Sequence, residues 1–298
     1  MAVISTADGN ELYVRVVGQG EPVILLHGFG MDSRSWLPFV STMLHQYKFI
    51  LPDLRGHGKN NHINPGACSL TQSATDLKDI IQQLNLKDVA LAGISMGAYV
   101  GLQYHKLTDF HHIKKYAHME QSPYWRTTND WRYGLFGEDQ DKWLSMIKDL
   151  HKELGPRRYE TPYTELPTVA KSLFWRIIRE FAVESSRKPI NKIIAQLTLE
   201  REPIARKVMN VTHWSHYLQC IDSLFSYHHD MRTTVPDISI PVTVMVGAKS
   251  KVYPPKGQHY FKTLLPKAKV IEFKNSGHAI FADEPLKFHR ELRNFIRH

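Results

Sequence analysis

Val89-Ala90-Leu91-Ala92-Gly93-Ile94-Ser95-Met96-Gly97 is the stretch that decides how this chain folds. An unbroken apolar run enters Gly-x-Ser-x-Gly, and Ala98 to Tyr104 continues with helical character. An apolar run without polar alternation reads as a strand buried on both faces, as in a parallel sheet. Strand, sharp turn and helix around a central serine form a nucleophile elbow. The turn is so tight that the serine takes strained backbone angles, and its neighbours two positions away, Gly93 and Gly97, must be tiny. The serine oxygen then stands at the top of the sheet, beside the positive end of a helix dipole. The bland alternative is a glycine-rich turn with an incidental serine.

Working outward, the pattern around this stretch alternates strand and helix. Leu12 to Val17, Pro22 to Leu26, Lys48 to Leu51 and Ile113 to Met119 read as strands. Between them Trp36 to Leu44 has helical spacing, and Leu77, Ile80, Ile81 and Leu84 mark one helix face. From Pro123 to about Pro236 no strand pattern is convincing. Helical segments replace it at Trp143–Leu154, Val169–Val183, Ile190–Leu199 and Ile204–Tyr227. Strands return at Pro241 to Val246 and Lys269 to Phe273, and Pro285 to Ile296 closes the chain as an amphipathic helix. Alternating β and α implies a mostly parallel sheet covered on both faces. The expected organisation is a βα core over 1–122 and 236–298, with a helical cap, or lid, over 123–235.

The composition bounds the function. The chain has 298 residues, 42% hydrophobic and 22% charged, an ordinary globular mix that excludes disorder, collagen and coiled coil. Thirty-eight Lys and Arg against 29 Asp and Glu give a formal charge of +9. No basic stripe with interleaved aromatics accompanies that charge, so no nucleic-acid partner is expected. Two cysteines, Cys68 and Cys220, cannot make a dense disulfide framework. No signal-like segment and no run of roughly 20 apolar residues appears, so the expectation is a cytoplasmic protein without a membrane partner.

Two further segments complete a chemistry. His27-Gly28-Phe29-Gly30 follows a buried strand, and its small residues allow backbone amides to face a substrate oxygen. The amides of Phe29 and Met96 are the expected donors of an oxyanion hole. Asn275-Ser276-Gly277-His278 follows the last strand. A serine nucleophile needs a base that takes its proton and returns it to the leaving group, and His278 lies where such a site predicts it. Otherwise these are a turn after a buried strand and a surface-loop histidine.

At these points the chain resembles the α/β-hydrolase fold family, along its whole length. The resemblance implies an eight-stranded, mostly parallel sheet flanked by helices, with 123–235 in the position of the family's cap domain. It also matches Asp53-Leu54-Arg55-Gly56-His57-Gly58 to the loop after the fourth strand. Asp53, Arg55 and His57 there read as a structural hydrogen-bonding loop. One departure stands out. The family places its triad acid after the seventh strand, in a pattern like Gly-x-x-Asp, whereas this chain has Gly247-Ala248-Lys249-Ser250. A neutral hydroxyl cannot stabilise an imidazolium as a carboxylate does. Glu120, in Tyr116-Ala117-His118-Met119-Glu120, is the candidate acid, because it resembles the Met-Glu pair after the sixth strand of some haloalkane dehalogenases. Those enzymes use aspartate at the elbow, so Ser95 points to acyl transfer and away from dehalogenation.

The sequence therefore predicts a serine hydrolase that cleaves carboxylic esters through an acyl-enzyme on Ser95, with His278 and Glu120 as partners and no cofactor. The expected substrate is a small molecule with an apolar acyl group, and Trp125 and Trp131 are the expected pocket aromatics. Two other classes stay open: a cofactor-free haloperoxidase, perhydrolase, lyase or dioxygenase on the same residues, and a non-catalytic ligand-binding protein. His111-His112, His213 with His216, and His228-His229 lack a matching third ligand, so no metal is expected.

Overall fold

The computed structural model describes residues 1–209, 213–227 and 229–298. Its strands are β1 (Ala2–Ser5), β2 (Glu11–Val17), β3 (Glu21–Leu26), β4 (Tyr47–Pro52), β5 (Val89–Ile94), β6 (Ile113–Met119), β7 (Val242–Gly247) and β8 (Lys269–Phe273). They form one sheet in the order β1-β2-β4-β3-β5-β6-β7-β8. The first two strands pair antiparallel with their neighbours, and every pair from β4 to β8 is parallel.

The period of two along each strand feeds two cores. Ile24, Leu26, Val89 and Leu91 pack with Leu77 and Ile81 of helix Ser69–Gln83 and with Val100 of helix Met96–Thr108. Val23, Leu25, Ala90 and Ala92 pack on the opposite side with Trp36 and with Phe288 and Leu292 of helix Pro285–Arg297. All six residues of β5 are buried, which is why that strand shows no polar alternation. Each fully buried aliphatic side chain contributes about 1.5–3 kcal/mol. The last helix ends on a cation: Lys115 Nζ donates to the Ile296 carbonyl at 2.7 Å, where the helix dipole favours positive charge.

Between β6 and β7 the chain makes the helices Gln140–Leu154, Thr168–Ser185, Pro189–Glu200, Glu202–Val208 and Trp214–Ser226. Trp143, Phe174, Trp175 and Trp214 are buried among them. The two ends of this insertion meet. Tyr124 bridges Asp230, and the Met231 amide donates to the Pro123 carbonyl at 2.9 Å. Arg232 pairs with Asp230 and Asp130 and lies over the rings of Tyr124 and Trp131.

Three details differ from the sequence reading. The edge strand β1 is short, half exposed and carries no alternation long enough to see. Residues 36–44 are not one helix but a single α-helical turn, Leu37–Val40, flanked by 3-10 turns at Ser33–Trp36 and Ser41–Met43. Their apolar spacing is genuine, since Trp36, Val40 and Met43 are buried. Ile204–Tyr227 is likewise not continuous. One helix ends at Val208, and a second starts after His213, whose φ of −108° and ψ of 75° are not helical.

Candidate active site

The elbow is built by two close approaches. A Cβ at position 93 would lie 2.3 Å from the Gly97 carbonyl oxygen, and one at position 97 would lie 2.4 Å from the Leu26 carbonyl oxygen. Only glycine fits at either place, so the backbone closes tightly around position 95. Ser95 takes φ 53° and ψ −118°, a strained conformation for a residue with a side chain. Its own amide donates to the Met119 carbonyl at 2.8 Å, which fixes the elbow against β6. Met96 is the first residue of the following helix, where amides have no intrahelical acceptor.

Three side chains from three strand ends converge here. Ser95 Oγ donates to His278 Nε2 at 3.0 Å. His278 Nδ1 donates to Glu120 Oε2 at 2.9 Å. The second oxygen, Glu120 Oε1, accepts the Gly247 amide. A carboxylate can only accept, so it holds the proton on Nδ1 and leaves Nε2 as the acceptor facing the serine. All three are buried: Ser95 8%, His278 6% and Glu120 0% exposed. Glu120 sits at φ 53°, immediately after β6, which turns its side chain into the gap between the ends of β6 and β7. Position 247 must be glycine, because a Cβ there would lie 2.1 Å from the Gly277 carbonyl. Ser250 is engaged in its own turn, where its hydroxyl accepts the Tyr253 amide at 3.3 Å.

The loop carrying Phe29 lies against the serine. A Cβ on Gly28 would stand 3.4 Å from Ser95 Cβ. His27 sets this loop: its Nε2 accepts the Leu54 amide at 2.9 Å, so Nδ1 carries the proton and donates to the Gly28 carbonyl at 2.8 Å. Burial holds His27 below its ordinary pKa and so in the neutral form. Among the described residues, neither the Phe29 nor the Met96 amide has a protein acceptor. Asp53, Arg55 and His57 form a hydrogen-bonded loop to the side. Arg55 forks onto Asp76 and Asp8 at 2.6–2.7 Å, and Asp53 accepts the Ser33 and Lys59 amides.

Two cavities meet at Ser95. A narrow slot of about 70 Å³ is walled by Trp125, Phe136, Trp143, Ile147 and Phe225, and Gln121 and Tyr253 also line it. A wider chamber of about 430 Å³ lies on the His278 side and is lined by Ile178, Ala182, Ile194, Leu199 and Met209. Phe29, Ile178 and Phe181 border both. Trp125 is thus a wall of the slot. Trp131 is not: it donates to the Tyr124 carbonyl at 2.8 Å and packs on Tyr133 and Tyr260, at the base of the insertion. Its position just past the end of β6 suggested the pocket, but the chain folds it back onto the hinge.

Residues the sequence reading did not single out support the histidine. Asp283 is buried and accepts the Gly277 amide at 2.8 Å, the Arg187 amide at 2.8 Å and the Ser186 hydroxyl. Burial pushes its pKa up, but these donors outweigh burial and hold the carboxyl below its usual range. The Ala279 amide also donates to the Ser185 carbonyl at 2.7 Å. The His278 loop is therefore tied to the insertion. The signal was present in Asp283-Glu284-Pro285, but nothing in the sequence told a clamp from an ordinary helix start. Tyr253 is buried with its ring 5.7 Å from that of His278, and burial raises its hydroxyl pKa, with the Glu120 charge adding to it.

The other histidine clusters stay apart from this site. His213 and His216 stack at 5.3 Å, and His216 Nδ1 donates to the Asn61 carbonyl at 2.7 Å. His228 lies outside the described residues. Among the described residues no group of three His, Cys, Asp or Glu gathers as metal ligands. Cys68 and Cys220 are both unbridged, and burial raises the Cys220 thiol to about 12.

A family model described as the alpha/beta hydrolase fold matches residues 21–285. The chain belongs to the alpha/beta hydrolase fold family. A pimeloyl-[acyl-carrier protein] methyl ester esterase of Pseudoalteromonas atlantica is 26% identical over 91% of this chain and 92% of its own length. A non-heme chloroperoxidase, CPO-A1, of Kitasatospora aureofaciens is 34% identical over 34% of this chain and 38% of its own. Among solved structures, an esterase from Exiguobacterium antarcticum superposes with a TM-score of 0.81 at 22% identity, covering 100% of this chain and 99% of that one. A bromoperoxidase from Bacillus anthracis superposes at 0.79 with 20% identity, covering 100% and 99%. At these identities the structural likenesses speak for the fold.

Proposed function

We propose that this hydrolase-fold protein is a serine esterase, acting through an acyl-enzyme on Ser95. The observation that carries the reading is the unbroken chain Ser95 Oγ–His278–Glu120, at 3.0 and 2.9 Å. In the proposed cycle His278 Nε2 takes the serine proton as Oγ attacks the acyl carbonyl. Glu120 balances the imidazolium and keeps its tautomer. The amides of Phe29 and Met96 receive the oxyanion. His278 then protonates the departing alcohol, and in the second half activates the water that frees the acid. No cofactor enters these steps.

Residues 123–235 act in this reading as a cap that walls both cavities. The apolar lining supports an apolar ester of small to medium size, one limb in the 70 Å³ slot and the other in the 430 Å³ chamber. Hydrolysis of p-nitrophenyl esters of graded acyl length tests the proposal. Wild type turns over with an optimum at short to medium apolar chains, and Ser95→Ala loses roughly a thousandfold or more in kcat. Activity that survives in Ser95→Ala overturns the proposal.

The relative named as a non-heme chloroperoxidase favours one second reading, perhydrolysis, in which peroxide replaces water on the same acyl-enzyme. Peracid formation in an acetate–peroxide buffer, lost in Ser95→Ala, distinguishes it. Dependence on Ser95 is common to both readings.

A further inference from the structure

The exposed aliphatic side chains of the described residues concentrate on one part of the surface. Helix Pro189–Glu200 presents Ile190, Ile193, Ile194 and Leu197 to solvent, between 51% and 61% exposed. Their spacing of three, four and seven residues places them in one stripe. Leu199, on the other side of the same helix, is buried. The next helix, Glu202–Val208, adds Ile204 and Val208, both exposed. A helix ordinarily turns such a stripe toward a core, and a contiguous apolar patch left in water marks an interaction surface.

Two features say what that surface meets. First, the ridge is continuous with the candidate site: Ile194 and Val208 also line the wider chamber that reaches Ser95 and His278. Second, the same segment carries Lys188, Lys192, Arg201 and Lys207 against Glu200 and Glu202, with Glu184 of the preceding helix facing Lys192. Among the described residues none of these four cations is in an ion pair.

We infer that this ridge docks on an anionic lipid surface, from which an apolar ester enters the wider chamber. The second clause rests on the esterase reading; the first does not. Aliphatic side chains inserted at the boundary between headgroups and acyl chains supply the apolar part of the binding, and flanking cations meet the lipid phosphates. No described helix is long and apolar enough to cross a membrane, and peripheral docking needs none. A second copy of this chain fits less well, because face-to-face pairing sets the same four cations against themselves. An acidic protein partner is a poorer match to a row of aliphatics lacking Tyr, Trp or Met anchors.

Co-sedimentation with phosphatidylglycerol vesicles, set against phosphatidylcholine vesicles, decides the matter. The Ser95→Ala protein is used so that no lipid is consumed. It is compared with the same protein carrying Ile190→Ser, Ile193→Ser and Leu197→Ser, none of which lines either cavity. The parent pellets with phosphatidylglycerol, binds phosphatidylcholine more weakly, and releases in high salt. The triple variant binds about tenfold or more weakly. In the Ser95 background the triple variant keeps its kcat/KM on a soluble short-chain ester within about twofold. The inference is overturned by no binding to phosphatidylglycerol, by equal binding to phosphatidylcholine, or by equal binding of the triple variant. A dimer seen by light scattering that the triple substitution dissolves also overturns it. If the Ser95 protein proves inert toward soluble esters, the esterase reading fails while the vesicle result still stands alone.

Discussion

Glu120 and Ser250 together define the site at the scale of single residues. The position after β7 that the family fills with an acid holds a serine whose hydroxyl accepts the Tyr253 amide. The carboxylate arrives instead from the end of β6, with the Gly247 amide on one oxygen and His278 on the other. Replacing Glu120 by Gln keeps the shape but removes the charge and offers an amide donor where His278 Nδ1–H needs an acceptor. The expected result is a fall in kcat of roughly a thousandfold or more, with the thermal midpoint little changed. Near-normal turnover would refute Glu120 as the acid. The convergence of Ser95, His278 and Glu120 was legible because each follows a strand beside a motif with its own chemistry. Trp131 was misread because distance along the chain does not tell a pocket wall from a hinge. Only the path of the backbone after Trp125, back toward Arg232, separates the two tryptophans.

At the scale of elements, the insertion is held at its base, where its two ends meet, and again at its middle, where it grips the histidine loop. Tyr124, Asp230 and Arg232 close its base, while Ser185, Ser186 and Arg187 bind the loop through Ala279 and Asp283. Asp283→Ala leaves several buried donors without an acceptor, at a cost on the order of 3 kcal/mol. Chemical denaturation of the variant beside wild type measures it, and an unchanged midpoint would show that the clamp carries no load. Seven of the eight strands, all but β1, were readable to within a residue or two, because β3 and β7 are buried runs entered from Gly or Pro and β5 is apolar throughout. Helix interiors were equally clear. Breaks were not: the turns over 33–43 and the restart at His213 keep an apolar spacing that a continuous helix would also show. Backbone angles, rather than side-chain pattern, decide such boundaries.

The whole molecule carries a pH dependence set by its buried histidines. Burial pushes His57 and His118 down to about 3, and His27, His105 and His216 are also lowered. The unfolded chain binds these protons near pH 6.5 and the folded chain does not. Stability is therefore full above about pH 6.5 and is lost as pH falls toward 3, by about 1.4 kcal/mol per pH unit for each fully buried histidine. Asp8 and Asp283, whose pKa values are lowered on folding, act in the same direction at lower pH. Calorimetry from pH 8 to pH 5 should show a falling midpoint, and a flat or rising one would contradict the assignment of these rings as neutral. The fold class was legible from the sequence because a parallel sheet needs apolar runs and helices to cover them. The exposed ridge on 189–208 was not, since its spacing is that of an ordinary core-facing helix and only the packed structure shows it turned to water.

The central claim is that an acyl group passes through Ser95 with His278 as its base. Intact and peptide mass spectrometry after brief exposure to a fluorophosphonate tests it most directly. The account predicts one adduct, on Ser95, absent in Ser95→Ala and formed far more slowly in His278→Ala. An unlabelled Ser95, or labelling indifferent to His278, would contradict it.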